Sequence, residues 1–427
     1  MCYIEGVKKI ISYECRLTFI CLLFTLSACT SSNRNSSQMQ NETKNYPEGS
    51  YGYDVAFLAE NKIETLELKD TETGACVLVA PGLQGRVMTS ASGGYSGASH
   101  GWINYRFIRS GAKSGQFNPY GGEERFWIGP EGGPFSIYFK KGDEQVFANW
   151  QVPGAIDTEA FDVVEKDDKK ARFSRNFSLT NAAGTKMDIQ VDRTVKVLAQ
   201  REICQALLLE PGKTLGFVAF ETENILTNRG ENDWDENNGF LSIWLLCMFN
   251  PSEKGVVCIP YKTGGDISGK IVTDDYFGKV PVDRLLVKDG VILFKTDGKY
   301  RSKIGISPER ALPYCGSYDA DKRLLTVLWY SRPERPSRYV NSVWGEQDNP
   351  LNGDVVNAYN DGPTDDGSVM GPFYEIESSS PAALLKAGEK ITHIQRIFHF
   401  SGEEHELGQI AEKLFGVSLD EIKNAFQ

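Results

Sequence analysis

The sequence predicts an all-β protein built as a large antiparallel two-sheet sandwich with short C-terminal helices. Three observations carry that prediction. Apolar residues alternate with polar ones at a period of two in many short runs, and Gly, Asp, Asn or Pro punctuates most of them. Helical spacing is confined to the C-terminus. In order along the chain, Phe173, Phe177 and Leu179 lie on one parity and Asn181-Ala182-Ala183-Gly184 supplies a turn. Met187, Ile189, Val191, Val195 and Val197 then alternate with Lys186, Asp188, Gln190, Asp192 and Thr194, which completes a hairpin. Further strand-like runs fall at 216–221, 241–249, 255–261, 290–295, 324–330 and 391–400. Leu407, Ile410 and Leu414 have helical spacing, and Ser418-Leu419-Asp420-Glu421 is a capping-box pattern before a last short helix. The β pattern is continuous, which predicts one domain over 51–402 followed by a helical segment over 403–427. Antiparallel strands without helical crossovers bury their faces against each other, hence a sandwich. A propeller is the rival, but no blade-length repeat is visible.

The N-terminus predicts export. Lys8, Lys9 and Arg16 form a basic region, and Leu17 to Ala28 is apolar but too short to span a bilayer. Leu26-Ser27-Ala28-Cys29 resembles a bacterial lipobox. The expectation is a signal peptide over 1–28, a lipid on Cys29 and a polar tether over 29–50. Such a coil has an end-to-end distance of roughly 25 Å. No Asp follows Cys29, which favours an outer-membrane lipoprotein facing the periplasm, with surface display left open. Loss of residues 1–28 takes the net charge from −11 to about −12. With no basic run, nucleic acid is not an expected partner, and the membrane is met only through the lipid. Cys76, Cys204, Cys247, Cys258 and Cys315 remain after the anchor, without C-x-x-C spacing, and most read as core residues.

Chemistry concentrates first in Pro119 to Gly133, where five glycines and two prolines exclude a helix interior. The same stretch holds Glu123, Glu124, Arg125, Trp127 and Glu131. An indole covers the apolar face of a sugar ring while charged forks hold its hydroxyls, so this mixture points to a carbohydrate ligand. Strand parity puts Glu123, Arg125 and Trp127 on one face and Glu124 and Phe126 on the other. Adjacent Glu123 and Glu124 then cannot act as a facing acid–base pair. A second cluster holds Tyr359, Asn360 and Asp361 before a Gly-Pro turn. In the strand that follows, Glu375 and Glu377 share a face. His393 and His399 share another, and His100 lies in a Gly-flanked loop. Each is a general-acid candidate near neutral pH. Acidic and aromatic groupings at 274–278 and 316–319 read as solvated turns rather than a metal site, and Asp297 to Lys303 reads as a turn with a basic flank. No metal or cofactor is predicted, and no nucleotide or hydrolase fingerprint is present.

The order Phe373-Tyr374-Glu375-Ile376-Glu377, Ser380-Pro381, Leu385-Lys386-Ala387-Gly388-Glu389 and His393 to Phe400 resembles the galactose mutarotase-like (aldose 1-epimerase-like) superfamily. Val79 to Val87 resembles its early strands, and Gly121 to Gly133 falls where a Gly-Gly…Trp segment is expected. The whole chain after the anchor also resembles a family of Bacteroidetes lipoproteins within that superfamily. The resemblance covers about residues 53–402 and implies a β-supersandwich with a sugar pocket on its concave face. It implies Glu375 as the base that removes the anomeric proton, with His100 or His393 as the acid. Glu123, Arg125, Trp127, Glu131, Tyr359, Asn360 and Asp361 would hold the sugar. The Asn-His pair and the central His motif of that group have no counterpart here. Two readings therefore stand: an epimerase-like enzyme acting on a sugar or glycan fragment, and a non-catalytic carbohydrate-binding lipoprotein. A lyase or hydrolase on the same fold is a further alternative.

Overall fold

A computed structural model describes residues 46–427 except 210, 211, 213, 266, 268, 269, 336 and 365. The expected signal peptide, Cys29 and most of the tether lie outside the described residues. The first described element is a helix, α1 (Tyr51–Glu60), entered at Ser50, whose hydroxyl accepts from the Tyr53 N–H. Two more short helices, α2 (Tyr105–Ser110) and α3 (Gln200–Leu207), precede the C-terminal pair α4 (Glu404–Phe415) and α5 (Leu419–Lys423). The expectation that helices occur only at the C-terminus is thus corrected. Helix α1 carries Tyr, Val, Ala, Phe and Leu on most sides, which blurs its period. Tyr51, Phe57 and Leu58 find their partners only in the tertiary structure, among Leu78, Ala80 and Met88.

The described strands form three sheets, and every pairing between named strands is antiparallel. The small sheet is β1 (Leu66–Asp70), β2 (Ala75–Ala80) and β3 (Arg86–Ala91). The five-stranded sheet has the order β13 (Ser302–Ile306), β16 (Val356–Asn360), β17 (Tyr374–Ser379), β9 (Ser242–Phe249) and β4 (Arg125–Gly129). The ten-stranded sheet begins with β11 (Leu285–Lys288), β12 (Val291–Lys295), β10 (Gly255–Pro260), β14 (Tyr314–Asp319) and β15 (Leu324–Tyr330). It continues with β18 (Lys390–Ser401), β8 (Gly216–Asn228), β7 (Lys186–Val197), β6 (Lys170–Thr180) and β5 (Asp162–Lys166). The hairpin read from the sequence is β6–β7, and β7 alternates buried and half-buried residues along nearly its whole length. Residues 316–319, expected as a solvated turn, lie inside β14, because Tyr318 is buried against the C-terminal helices. The five cysteines are free, and all but Cys204 are buried.

The larger two sheets face each other across one core. Phe173, Ile189 and Val191 from the ten-stranded sheet join Phe126, Ile128, Leu245, Cys247 and Ile376 from the five-stranded one. Strand β9 is buried at all eight positions, because surface segments also cover its outer face. Burying such residues relative to water is worth about 1.5–3 kcal/mol each.

A polar seam crosses this core. Glu124 and Arg193 are fully buried and paired at 2.7 Å. Thr222 Oγ1 and Gln395 Nε2 donate to the other Glu124 oxygen at 2.8 and 3.0 Å. Arg193 also donates to Asn224 Oδ1 at 2.6 Å and to the Gly85 carbonyl at 3.0 Å. Beside them Glu123 Oε1 accepts from Ser90 Oγ at 2.8 Å and meets His399 Nε2 at 2.9 Å. Thr326 Oγ1 lies 2.9 Å from His399 Nδ1, and the His100 ring stacks on His399 at 4.3 Å. Burial drives both imidazoles down to about 3, so they are neutral. Thr326 then donates to Nδ1, and Nε2–H donates to Glu123.

Glu123 corrects the parity expectation, because it does not share a face with Arg125 and Trp127. The chain bends at Glu123 and becomes a strand only at Arg125, so both glutamates turn toward the ten-stranded sheet. Gly121 and Gly122 make the bend, with φ of 84° and 121°. A Cβ there would sit 2.4 Å from the Trp102 carbonyl oxygen and 2.6 Å from Arg86 Cδ, respectively.

Removing one partner of the seam leaves a bare buried charge. Arg193→Ala should therefore cost about 3–5 kcal/mol in urea unfolding; a loss under about 1 kcal/mol would show that the pair does not brace the core. Burial also raises the Glu123 carboxyl to about 7. The folded state then holds this proton more tightly than the unfolded chain, and its contribution is lost as pH rises through about 7. Glu123→Gln stays neutral throughout, so its Tm should gain on the wild type between pH 5 and 8. A Tm difference that does not change with pH contradicts this.

Candidate functional site

Antiparallel register decides which side chains meet on the outer face of the five-stranded sheet. Lys303, Tyr359 and Glu375 align across β13, β16 and β17, as do Asn357 and Glu377. Ser379, Trp244 and Trp127 align across β17, β9 and β4, with Ser242 opposite Gly129. Over this face lies a cavity of about 420 Å³. Trp244, Lys303, Asn357, Ser242 and Ser379 line it from the sheet, and segments including Tyr276, Ser342, Val343 and Asp354 wall it above.

Two carboxylates occupy this face in different circumstances. Glu375 is held by Arg125 at 2.9 Å, with both side chains almost wholly buried. Burial pushes its carboxyl up to about 7 against the pull of Arg125, with the charge of Glu377 adding to the rise. Glu377 is anchored through one oxygen only. Its Oε2 accepts from Trp244 Nε1 at 2.8 Å and Lys303 Nζ at 2.9 Å, while its buried Oε1 has no protein partner. For Lys303, burial alone would lower the pKa, but Glu377 and Glu131 outweigh it and the ammonium is stabilised. Its Nζ also lies 5.1 Å from the Trp244 ring centre. Burial raises the Glu131 carboxyl, opposed by Lys303 and by the Trp344 and Trp150 indoles. Tyr276 donates to Asp354 at 2.6 Å and accepts from Asn357 Nδ2 at 3.1 Å. The result is an indole edge, amide and hydroxyl donors and, against them, a buried carboxylate oxygen without a protein partner. That set can bind a polyhydroxylated molecule and accept a proton from it.

The expected site residues separate into two groups. Arg125, Trp127, Tyr359 and Glu375 share the outer face, and Glu131 lies within electrostatic reach of Lys303 and Glu377. Trp127 packs behind Trp244, with its ring 5.6 Å away, and the Arg125 guanidinium covers it at 4.3 Å. Trp244 is therefore the indole that borders the cavity. Glu123, His100, His393 and Asn360 are on the inner side. His393 Nε2 is 2.8 Å from Ser378 Oγ, on the opposite face of β17 from Glu375, and burial lowers its pKa to about 3. Neither His393 nor His100 is thus brought together with Glu375 as an acid–base pair. Asn360 instead accepts from the Gly298 N–H and donates to the Tyr300 carbonyl, closing the 297–302 turn. Asp361 accepts from Tyr359 Oη at 3.0 Å and the Gly371 N–H at 2.7 Å, so both its oxygens hold protein groups.

Trp244, Lys303, Tyr276, Asp354 and the unpartnered oxygen of Glu377 escaped sequence reasoning. Trp244 sits in an apolar run that reads as core, and Lys303 reads as the basic flank of a turn. The shared parity of Glu375 with Glu377, and of Arg125 with Trp127, signalled this face in advance. Among the described residues, no group of three or more His, Cys, Asp or Glu side chains is placed to hold a metal ion. Nor is any described helix long and apolar enough to cross a membrane.

No curated protein matches the sequence. Similar solved structures include the Slr1438 protein of Synechocystis sp. PCC 6803, with 14% identity, 80% of this chain and 97% of that chain covered, and a TM-score of 0.48. A galactose mutarotase-like protein from Lactobacillus casei has 11% identity, 79% and 100% coverage and a TM-score of 0.44. A galactose mutarotase related enzyme from Lactobacillus acidophilus has 8% identity, 79% and 97% coverage and a TM-score of 0.44. Residues 49–426 match a single family across the whole described sandwich, and the chain belongs to it: the family of unknown function DUF6786.

Proposed function

We propose that the protein binds a carbohydrate in the cavity over the five-stranded sheet. The observation that carries this reading is Glu377, pinned through one oxygen by the cavity-lining Trp244 and Lys303, while its other, buried oxygen has no protein hydrogen-bond partner. A carboxylate so oriented suits a sugar hydroxyl, which donates to it, while Asn357, Ser242 and Ser379 supply further polar groups and Trp244 an apolar one. Arg125, Glu375 and Glu131 act around this centre as its charged frame.

A second reading, epimerase-like turnover, is favoured by Glu375 and Glu377 standing on one face, the former with a carboxyl near 7. A carboxylate at that value serves as base or acid at neutral pH. The acid partner would then come from the outer face, and the inner-face histidines take no part. The N-terminal motif ending in Cys29 further supports a lipid-anchored protein, facing the periplasm from an outer membrane.

Calorimetric titration with a panel of hexoses, hexosamines and short oligosaccharides tests the binding site. Trp244→Ala and Glu377→Gln should each weaken binding at least about 10-fold, the scale of losing a charge-assisted hydrogen bond or a buried aromatic contact. Absence of binding by every sugar removes the proposal. NMR of anomer exchange on the same panel separates the two readings: acceleration that Glu375→Gln or Glu377→Gln abolishes establishes turnover, and binding without acceleration leaves a binding protein. For the anchor, labelled palmitate should enter the wild-type chain expressed in a bacterium and not Cys29→Ser. Equal labelling of both rejects it.

A further inference from the structure

Val343 lines the cavity, and the residue after it begins a row of aromatic rings. Trp344 stacks on Trp150 with centroids 6.3 Å apart and ring planes at 24°. Trp150 in turn stacks on Phe147 at 6.0 Å and 18°. Phe147 is 64% exposed, and Val146 and Val343 are 39% and 47% exposed. An exposed ring held in place by its neighbours can take the apolar face of a ligand.

The row is rigidly built. Gln145 Oε1 accepts from the N–H groups of both Gly133 and Gly345 at 2.8 Å, and its Nε2 donates to the Gly133 carbonyl at 2.7 Å. One side chain thereby ties the Phe147 segment to the Trp344 segment and to the glycine-rich stretch. Gln116 Nε2 donates to the Phe147 carbonyl at 2.5 Å, and Gln347 Nε2 to the Val343 carbonyl at 2.5 Å. At its inner end the row joins the cavity through the chain itself, because Trp344 directly follows Val343, which lines the cavity.

We propose that this row is a second carbohydrate subsite and that the ligand is an oligosaccharide chain rather than a free monosaccharide. One sugar occupies the cavity over Trp244 and Glu377. The chain leaves past Val343 and lays the C–H face of a later residue on Phe147. Phe147 is the ring of the row that offers a face, because Trp150 is buried, and the successive rings of a sugar chain let one residue sit in the cavity while a later one stacks there. This inference rests on the carbohydrate reading of the cavity.

The test is titration of the full chain with α-1,4-gluco-, β-1,4-gluco-, β-1,4-galacto- and β-1,4-manno-oligosaccharides from one to six residues. In the linkage series that binds, affinity should rise with length beyond the disaccharide. Phe147→Ala should lower affinity for the longer members about 3- to 10-fold and leave the monosaccharide unchanged. Glu377→Gln should weaken every length. Phe147 is exposed, so its replacement leaves the fold intact, which an unchanged Tm verifies. Affinity independent of length and indifferent to Phe147→Ala overturns the subsite while leaving the cavity reading in place. No binding by any sugar of any length overturns both.

Discussion

The buried pair of Glu124 and Arg193 is the interaction on which the rest of this structure depends. It sits where three sheets converge, and its hydrogen bonds reach each of them. Arg193 belongs to β7 and donates to Asn224 of β8 and to the Gly85 carbonyl at the turn into β3. Glu124 stands one residue before β4 and also takes Thr222 of β8 and Gln395 of β18. Gln395 accepts in turn from Ser378 of β17 at 2.6 Å. Two charges taken out of water are costly unless every lone pair and N–H finds a partner, and a network that satisfies them tolerates only one alignment. The sheets are thereby set in one register relative to each other.

That register divides the chemistry between two faces of β17. Inward, Ser378 meets His393 and Gln395 in a buried seam. Outward, Glu375 pairs with Arg125 and Glu377 with Lys303, which lines the cavity. The burial responsible for both sets has opposite chemical effects. It holds the three inner histidines neutral, while it lifts Glu375 toward neutrality, where a carboxyl exchanges protons readily. A sandwich core that supports a site in this way must itself be inert, and the histidines are part of that support.

Much of the framework was legible from period-two patterning. The β6–β7 hairpin, the strands at 242–249, 255–260, 291–295, 324–330 and 390–401, and the capping box at Ser418 all follow from local alternation and turn chemistry. Helix α1 was not legible, because apolar residues on most of its surface erase the period and its helical state rests on packing beneath β2 and β3. Within the site, the shared face of Glu375 and Glu377 was legible and the role of Trp244 was not. A tryptophan in an eight-residue apolar strand reads the same whether its edge meets core or cavity.

By itself the sequence determined the class of fold, the positions of most strands and which neighbours in a strand share a face. It also determined the glycine-rich approach to Arg125, since only glycine accepts the positive φ at 121 and 122. Only the tertiary structure decided which face became the site. Parity is a local, relative property: it groups Glu375 with Glu377 and His393 with His399, but it cannot say which group looks at the other sheet. The bend that turns Glu123 inward and the register that sets Glu377 between Trp244 and Lys303 come from residues far apart in the chain. They are fixed by pairing across sheets, where no local pattern reaches.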